Sequence, residues 1–280
     1  MTHSLLDELI RYDRNAQRDR ERREREPFPD TEEMVDIVRH GHLLRALLVE
    51  PLDRREIEAT LEVSRATSHR FVRWLEDNEY GERVDGRYRL TGLGTVVADG
   101  VCKFEAYLRT ARRLDPLFEY ICEDHEEFVI EPFADATVTV ADPSDPYAPI
   151  ARFLSLLRES ESFRGFNTTH MIPPGSEGDA DRLLEDRTVE LVYVPDTVDA
   201  LRDEADAALA AAIDEGNVTV RTREALPYGL ALFDDRVGIG GYDEETGTMR
   251  VFVDTDAAIA REWATQVFES IRADSRPVLS

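Results

Sequence analysis

Apolar residues recur at helical spacing between residues 35 and 50. Ile37, Leu43, Leu44, Leu47 and Leu48 fall on one side of a helix with 3.6 residues per turn. The pattern predicts a single amphipathic helix over 35–50 whose apolar side lies in a hydrophobic core.

Two shorter helices and a hairpin are predicted next. Asp53 and Ser64 are residue types that cap helix N-termini, and they precede candidate helices over 54–61 and 65–77, with a turn at Glu62-Val63. Residues 82–90 form a hairpin pattern around Asp85-Gly86, a favoured two-residue turn. This order is that of a winged helix-turn-helix, whose second helix fits the major groove of B-DNA. The core-facing residues of the two helices are predicted to be Ile57, Leu61, Ala66, Val72 and Leu75.

A longer amphipathic segment follows the hairpin. Thr91 can cap a helix that runs from Gly92 to about Arg113. Because DNA half-sites favour twofold proteins, we expect this helix to pair across the axis of a homodimer. The alternative is a linker helix that packs on its own domain. The apolar residues of the segment are Val96, Val97, Val101, Phe104, Tyr107 and Leu108.

The pattern changes after Pro116, where strand and helix candidates alternate. Strands are predicted over 137–140, 190–194, 218–220, 230–233, 237–242 and 250–253. Helices are predicted over 146–158, 199–214 and 257–272, the last of them capped by Asp256. Alternating strands and helices followed by hairpins indicate an α/β domain with a mixed sheet.

The fold class is therefore predicted to be α/β overall, with two domains. A mainly α winged domain with its β-hairpin wing and linker helix occupies residues 34–118, and an α/β mixed-sheet domain occupies 119–280. Residues 1–33 form a charged extension, for which a solvated helix and a disordered tail both remain open. Met34 is an alternative start of the native chain.

The charge is unevenly distributed between these domains. The chain has a net charge of −25, yet residues 34–118 carry 14 basic and 14 acidic side chains, whereas residues 119–280 carry 13 and 35. A uniformly acidic protein would bind polyanions poorly. The excess of acidic residues thus lies outside the segment that has the DNA-binding pattern, which supports that interpretation.

Other compositional features bear on the cellular setting. Lys103 is the only lysine, and an acidic, lysine-poor chain suggests a halophilic archaeal cytoplasm, with an ordinary acidic protein from a GC-rich genome as the alternative. Cys102 and Cys122 provide no disulfide framework. No apolar run approaches the length of a membrane span, and no signal-peptide pattern is present. The sequence predicts a cytoplasmic protein.

The second helix of the motif carries the candidate DNA-reading residues. Arg65 and Arg70 can each donate two hydrogen bonds to guanine, and Thr67 can meet a phosphate or a thymine methyl group. Ser64 is expected to cap the helix and reach phosphate, and Arg73 to contact phosphate. The full set predicted to bind DNA is Ser64, Arg65, Thr67, His69, Arg70 and Arg73 on the helix, with Arg83, Arg87 and Arg89 on the wing.

The wing arginines admit two interpretations. Arg83, Arg87 and Arg89 alternate, so that one face of the hairpin is basic, and Arg87 is the best candidate for the minor groove. Alternatively, these arginines form ion pairs within the protein, or the winged helix docks another protein.

The second domain contains a candidate ligand site. Strand-end loops of α/β sheets are common binding places, and Tyr228-Gly229 lies in such a loop, where the tyrosine would offer a ring face and a hydroxyl. Asn167, Thr169 and His170 follow another strand candidate and could also line a pocket. Asp234-Asp235 is read as a solvated hairpin turn.

Signals for catalysis and for metal binding are weak. No paired nucleophile and base, phosphate-binding loop or four-ligand metal spacing is visible. His40-Gly-His42 and Cys122-x-x-His125 contain residue types that bind zinc, but neither has the spacing of a four-ligand site. The cysteines are read as inert rather than redox-active. We predict no enzyme activity, no cofactor and no metal.

The chain resembles archaeal winged-helix transcriptional regulators whose second domain is of the methanogenesis-regulator type. The resemblance spans about residues 34–277 and implies a DNA-binding regulator with a domain that senses a ligand or partner. The charged extension and Asn78-Glu79-Tyr80 depart from the usual pattern. The residues that carry the resemblance are Val63–Thr67, Arg87–Gly94, Ala134–Thr139, Asp142–Pro146, Leu226–Leu230, Asp234, Asp235, Gly238, Gly240, Glu262–Ala264 and Phe268.

Three functions remain in view at this point. The first is a dimeric regulator whose unidentified effector acts through the helix that follows the wing. The second is a constitutive DNA-binding or protein-interaction module without a small-molecule effector. The third, least favoured because no catalytic constellation is visible, is an enzyme localised by its winged helix.

Overall fold

The computed structural model describes residues 30–121, 128–168, 187–204, 217–243 and 246–278. Its contacts divide the chain into two compact units, and the division falls between Arg109 and Thr110. The predicted α/β fold class, with a winged helix-turn-helix and a mixed-sheet domain, is confirmed. The expected domain boundary at residue 118 lies nine residues beyond this division.

The first unit contains four short helices, a hairpin and the first part of a long helix. Its core is formed by apolar side chains from all of these elements. The elements are α1 (Thr31–Arg39), α2 (Gly41–Val49), α3 (Arg54–Thr60), α4 (Arg65–Asp77), β1 (Gly81–Val84), β2 (Arg87–Leu90) and α5 (Gly92–Phe118).

The prediction of one helix over 35–50 is wrong, because the chain turns at His40. The His40 ring stacks on Trp74 at 3.9 Å between centroids, and its Nδ1 lies 2.7 Å from the Asp36 carbonyl oxygen. Gly41 follows, where a Cβ atom would lie only 3.0 Å from Val101 Cγ1. His40 stacks on α4 and Gly41 lies close to α5. These two contacts favour a turn at His40, so that two helices form where one is predicted.

The helix-turn-helix itself has the predicted caps. The Asp53 carboxylate accepts the backbone N–H groups of Arg55 and Glu56, and the Glu56 side chain accepts the N–H of Asp53, which is a complete capping box. These hydrogen bonds, that from the Glu56 N–H foremost, hold the pKa of Asp53 below its usual value. Ser64 Oγ accepts the N–H of Thr67 at 3.2 Å. Glu62 takes a positive φ of 54° in the turn.

One core assignment on α4 needs correction. Ala66 was expected to face inward, but it is exposed, whereas Ser68 is fully buried. The Ser68 hydroxyl donates to Glu58 Oε1 at 2.8 Å, so that a polar contact joins the two helices of the motif. A hydrophobicity pattern ranks alanine above serine for burial and cannot foresee such a pair. Val72, Leu75 and Ile57 are buried as predicted.

The wing and the long helix are also close to prediction. Strands β1 and β2 pair around Asp85-Gly86, both at positive φ, and Leu52 adds an isolated bridge to Tyr88. Thr91 Oγ1 accepts the N–H of Gly94 and so caps α5. The helix continues five residues beyond the expected end at Arg113, since Pro116 falls in its final turn and interrupts only the end of the hydrogen-bond ladder.

The second unit is an eight-stranded mixed sheet with helices. The strand order is β10-β6-β5-β4-β7-β8-β9-β3, in which β4, β5 and β6 are parallel and the other neighbours are antiparallel. The elements are β3 (Thr137–Val140), α6 (Ala148–Glu159), β4 (Ser162–Asn167), β5 (Thr188–Tyr193), α7 (Pro195–Glu204), β6 (Val218–Thr222), β7 (Gly229–Leu232), β8 (Val237–Tyr242), β9 (Met249–Thr255), α8 (Ala258–Ala273) and β10 (Arg276–Pro277).

Two hydrophobic clusters cover the sheet. One contains Trp263 and Phe268 of α8 with the end of α5, and the other contains Ile150 and Leu156 of α6. The predicted cap at Asp256 is wrong: the N-cap of α8 is Ala257, which has no side-chain hydrogen bond, and Asp256 instead pairs with Arg236 at 3.3 Å. Of the helix expected over 199–214, residues 205–214 lie outside the described residues.

Candidate functional site

The outer surface of α4 is the most basic uninterrupted surface of the helix-turn-helix. Its first nine residues, Arg65 to Arg73, include three arginines and one histidine but no acidic residue. Arg65, His69, Arg70 and Arg73 are all exposed, because the buried side of the helix is formed by Ser68, Val72 and Leu75. The structure therefore brings the predicted reading residues together on one helix face.

Two of these arginines end in solvent without a carboxylate. Among the described residues, no acidic side chain lies within ion-pair distance of Arg65 or Arg70. Arg70 contacts only the Thr67 hydroxyl, at 3.4 Å, and Thr67 also lies 3.0 Å from Ser64 Oγ. Arg73 is different, because its Nε lies 3.5 Å from Asp77. The guanidinium groups of Arg65 and Arg70 are thus available to acceptors outside the chain.

The wing arginines are used differently from the expectation that they form one free basic face. Arg87 donates from Nε to the Pro51 carbonyl at 2.9 Å and from Nη2 to Glu56 at 2.7 Å. Arg89 pairs with Glu82, also at 2.7 Å. Arg87, named as the best minor-groove candidate, therefore braces the wing against the start of α3, and the alternative of ion pairs within the protein holds for both residues.

Arg83 is the wing arginine with the most open geometry. Its guanidinium carbon lies 5.7 Å from the centre of the Tyr88 ring, which is a cation–π distance. Arg83 is exposed, and among the described residues it has no carboxylate partner. The structure moves the strongest wing candidate from Arg87 to Arg83.

In the second unit, part of the predicted ligand site is assembled. Asn167 ends β4 and donates from Nδ2 to the Tyr242 hydroxyl at 2.8 Å, and the Tyr242 ring lies against Gly229. A Cβ on Gly229 would lie 2.7 Å from Tyr242 Cε2 and 3.0 Å from Asn167 Oδ1, so only glycine fits there. Asn167 and Gly229 are therefore neighbours in the structure. Thr169 and His170 lie outside the described residues.

Tyr228 does not offer the ring face that was expected. It is 2% exposed, and its ring packs 5.5 Å from that of Phe166 and 6.5 Å from that of Trp263. Successive residues of a strand point to opposite faces of the sheet. Tyr228 therefore packs into the hydrophobic cluster that contains Trp263, whereas Gly229 contacts Tyr242. Tyr242 is the residue that sequence reasoning missed, although its place at the end of the glycine-rich strand β8 is a signal.

The polar groups at this end of the sheet are enclosed by the fold. Burial raises the pKa of the Tyr193 and Tyr242 hydroxyls. The neighbouring Tyr242 adds slightly to the increase at Tyr193, whereas the hydrogen bond with Asn167 partly offsets it at Tyr242. The Thr222 hydroxyl donates to the Tyr193 carbonyl at 3.2 Å, and the Thr197 hydroxyl donates to the Thr168 carbonyl at 2.9 Å. Among the described residues, neutral hydroxyl and amide groups therefore lie at the carboxyl ends of β4 and β5.

Asp234 is more than the solvated turn residue that was expected. Its carboxylate accepts the N–H groups of Glu161 and Ser162 and the Ser162 hydroxyl, at 2.7 to 3.0 Å. Although burial raises the pKa of Asp234, these hydrogen bonds hold it below its usual value. Asp234 thus fixes the start of β4, and this structural role accounts for the residue without a ligand.

The described residues contain no group of three or more histidine, cysteine or acidic side chains arranged to hold a metal ion. Among the same residues, no helix is both long enough and apolar enough to cross a membrane. Cys122 and His125, considered for zinc, lie outside the described residues.

Each unit contains a segment that is similar to a known family model. Residues 29–113 match the model of the HVO_A0261 N-terminal domain, and residues 146–274 match that of the middle domain of the methanogenesis regulatory protein FilR1. No curated protein matches the chain.

Solved structures show similarity at low sequence identity. The archaeal chromatin protein TrmBL2 is 12% identical, with 89% of this chain and 100% of that one covered and a TM-score of 0.41. NucT from Helicobacter pylori (14% identical, 51% and 99% covered) and the phospholipase D family member Nuc from Salmonella typhimurium (16%, 52% and 100%) both have TM-scores of 0.38. Similarities at this level carry no argument about activity.

Proposed function

We propose that this protein is a transcriptional regulator that binds a specific DNA sequence as a homodimer and responds to an effector through its second domain. The similarity of residues 146–274 to the middle domain of the methanogenesis regulatory protein FilR1 supports the regulatory role. Helix α4 lies in the major groove, with Arg65, His69 and Arg70 toward the bases. Ser64, Thr67, Arg73, Arg83 and Arg89 face phosphates, and Arg87 holds the wing in place.

The observation that carries this proposal is the surface of α4. Arg65 and Arg70 are exposed on α4, and no carboxylate of the described residues opposes them, although the chain has a net charge of −25. Neighbouring arginines repel each other, and an anionic or acceptor-rich partner relieves that repulsion. The edge of guanine supplies two acceptors in the geometry of a guanidinium fork.

The test is binding of the pure full-length protein to its own upstream DNA and to a scrambled duplex of the same composition, in molar potassium chloride. High salt suppresses phosphate contacts and leaves base contacts as the larger share of the affinity. We expect Arg65→Ala and Arg70→Ala each to weaken binding to upstream DNA about tenfold or more, with a small effect on scrambled DNA.

The matched control is Arg39→Ala. Arg39 is an exposed arginine of the same unit, paired with Asp36 on α1. It removes the same charge from a different surface, so its binding should equal that of the wild type. Equal losses in all three variants, or equal binding of both duplexes by the wild type, would contradict sequence reading by α4.

An exposed apolar stripe on α5 supports the homodimer. These side chains are 41% to 71% exposed, lie at intervals that keep them on one side of the helix, and are joined there by Gly100, beside which no side chain crowds. A stripe of this size on a helix suits packing against the same helix of a second copy. The stripe consists of Leu93, Val96, Phe104, Tyr107 and Leu108.

Sedimentation or light scattering tests this dimer. Phe104→Glu places two carboxylates opposite each other at the middle of the proposed contact, and we expect the mass to fall by half at micromolar concentration. Arg109→Glu is the control, because Arg109 is exposed and lies about 140° around the helix from Phe104, away from the stripe. An unchanged mass in Phe104→Glu would rule out the α5 contact.

We propose that the effector is a small polar, uncharged molecule that competes for the hydrogen bond between Asn167 and Tyr242. Hydroxyl and amide groups line this end of the sheet, and binding there is linked to DNA because α5 contributes to both cores, with Val101 in the first and Leu114 in the second.

A panel of polar metabolites, tested for shifts in affinity for upstream DNA, examines the effector site. A compound that acts on the wild type and not on Tyr242→Phe supports the site, since this variant lacks only the hydroxyl that Asn167 contacts. Compounds that act equally on both proteins contradict it. A panel without any effect favours the constitutive module without a small-molecule effector. The direct hydrogen bond between Asn167 and Tyr242 also supports that alternative.

A further inference from the structure

The two edges of the eight-stranded sheet are protected to different degrees. The edge strand β10 consists of Arg276 and Pro277, both exposed, and a charge with a proline is the usual protection against strand addition. The other edge strand, β3, has neither. Residues 136–141 read Ala-Thr-Val-Thr-Val-Ala, a run without charge in a chain of which 33% of residues are charged.

Among the described residues, none hydrogen-bonds to the backbone on the outer side of β3. The Ala141 N–H donates to the Arg250 carbonyl on β9, and the alternation of an antiparallel ladder then directs Thr139 and Thr137 to β9 as well. Val138 and Val140 therefore direct their N–H and C=O groups away from the sheet. Val140 is 44% exposed, and no other strand of the described residues lies beyond β3.

We propose that β3 pairs antiparallel with β3 of a second copy of this chain and joins the two sheets across a twofold axis at Thr139. In this register Val138 faces Val140 of the partner on both sides of the axis, and all four outward valines exchange backbone hydrogen bonds. The two Thr139 residues face each other as a pair without backbone hydrogen bonds, a favourable cross-strand pair.

Charge is the reason to choose a second copy as the occupant. Two chains that each carry −25 repel, so a contact between copies must avoid acids. The strand itself carries no acid, and Asp135 and Asp142, which flank it, lie outside its ladder at either end. A contact confined to β3 therefore places no carboxylate opposite another, and the same sequence serves both sides of an isologous contact.

Disulfide trapping of the full-length protein tests the register. Thr139→Cys is made in a background where Cys102 and Cys122 are both serine, and it is oxidised mildly in molar potassium chloride. Facing residues without backbone hydrogen bonds have Cβ atoms about 4.5 to 5.5 Å apart, which moderate adjustment brings within disulfide reach. We expect a covalent dimer at micromolar concentration. Thr137→Cys is the matched control, because its residue faces Ala141 of the partner and not its own copy.

A dimer band from Thr139→Cys with little from Thr137→Cys supports the pairing. The absence of a covalent dimer from Thr139→Cys, or equal yields from both variants, would overturn it, and the first result would leave the edge to a strand from another protein. Reduced samples of both variants must melt at the temperature of their parent, which separates misfolding from loss of contact. The outcome is independent of DNA binding and of the proposed α5 contact, since neither includes β3.

Discussion

Arginines are used in opposite ways on α4 and in the second unit. Arg65 and Arg70 on α4 have no carboxylate among the described residues, whereas Arg152 and Arg236 both donate to Asp254, which is fully buried in β9. The two sets of arginines therefore serve different purposes. Arg152 and Arg236 neutralise a buried carboxylate and form a structural joint, whereas Arg65 and Arg70 are exposed and open to a partner outside the chain.

The largest expected effect concerns the structural joint. Arg236→Met removes two hydrogen bonds of 3.0 and 2.7 Å to Asp254 and leaves that buried carboxylate with Arg152 alone. Breaking a buried ion pair costs about 3 to 5 kcal/mol, and since Arg152 remains we expect a loss of about 3 kcal/mol in the free energy of unfolding. Chemical denaturation in molar potassium chloride measures it.

Arg272→Met is the control for this joint. Arg272 pairs with Glu190 and Glu269 at an exposed site, where ion pairs contribute little because water and salt screen them. Equal destabilisation by both variants would show that burial of Asp254 does not distinguish the two networks. Neither variant should change the affinity of the folded protein for DNA, because both residues lie outside the first unit.

The next effect sharpens the role of the unpaired arginines. Arg65→Lys keeps the charge but loses the planar fork that grips guanine, so we expect affinity for upstream DNA to fall by about 1 to 3 kcal/mol, roughly ten- to hundredfold. Affinity for scrambled DNA and the slope of log affinity against log salt should hardly change. A matching loss on both duplexes would mean that Arg65 contacts phosphate.

A smaller, pH-dependent effect is expected at Asp234. Because the folded protein lowers the pKa of this carboxyl, its stabilising contribution is present above the unfolded value of about 3.9 and is lost as the pH falls through the folded value. Asp234→Asn should therefore lower the free energy of unfolding by roughly 1 kcal/mol at neutral pH, and the difference should shrink below about pH 4. Asp235→Asn, in the same turn, is the control and should show no such convergence.

The local pattern predicted the elements well, because capping and turns depend on neighbours in sequence. Ser64, Asp53 and Asp85-Gly86 fixed the helix starts and the hairpin by contacts that span two or three residues. The break at His40 was missed because its cause is Trp74, 34 positions away, on another helix. Asp256 was misassigned for the same reason, since the distant Arg236 competes for its carboxylate.

The sequence predicted which arginines belong to the candidate site, but not which of them form ion pairs. The pattern placed Arg65, Arg70 and Arg87 at the motif, yet which arginine meets an acid depends on tertiary distances that sequence spacing does not contain. Glu56 was predictable as a capping residue, but not as the partner that holds Arg87. Likewise, alternation along β7 could not tell which side of the sheet would receive Tyr228.

The smallest effect tests whether Arg87 is a brace or a DNA contact. Glu56→Gln keeps an oxygen that can accept the Asp53 N–H but removes the charge that holds Arg87. If Arg87 braces the wing, Glu56→Gln and Arg87→Met should each weaken DNA binding about two- to threefold, as expected for an exposed ion pair of about 0.5 kcal/mol. The double variant should then resemble either single variant, because both changes remove the same contact. Tighter binding by Glu56→Gln would instead show that the freed arginine reaches DNA, and the wing would join α4 among the unpaired surfaces. Anisotropy titration of labelled upstream DNA resolves these differences.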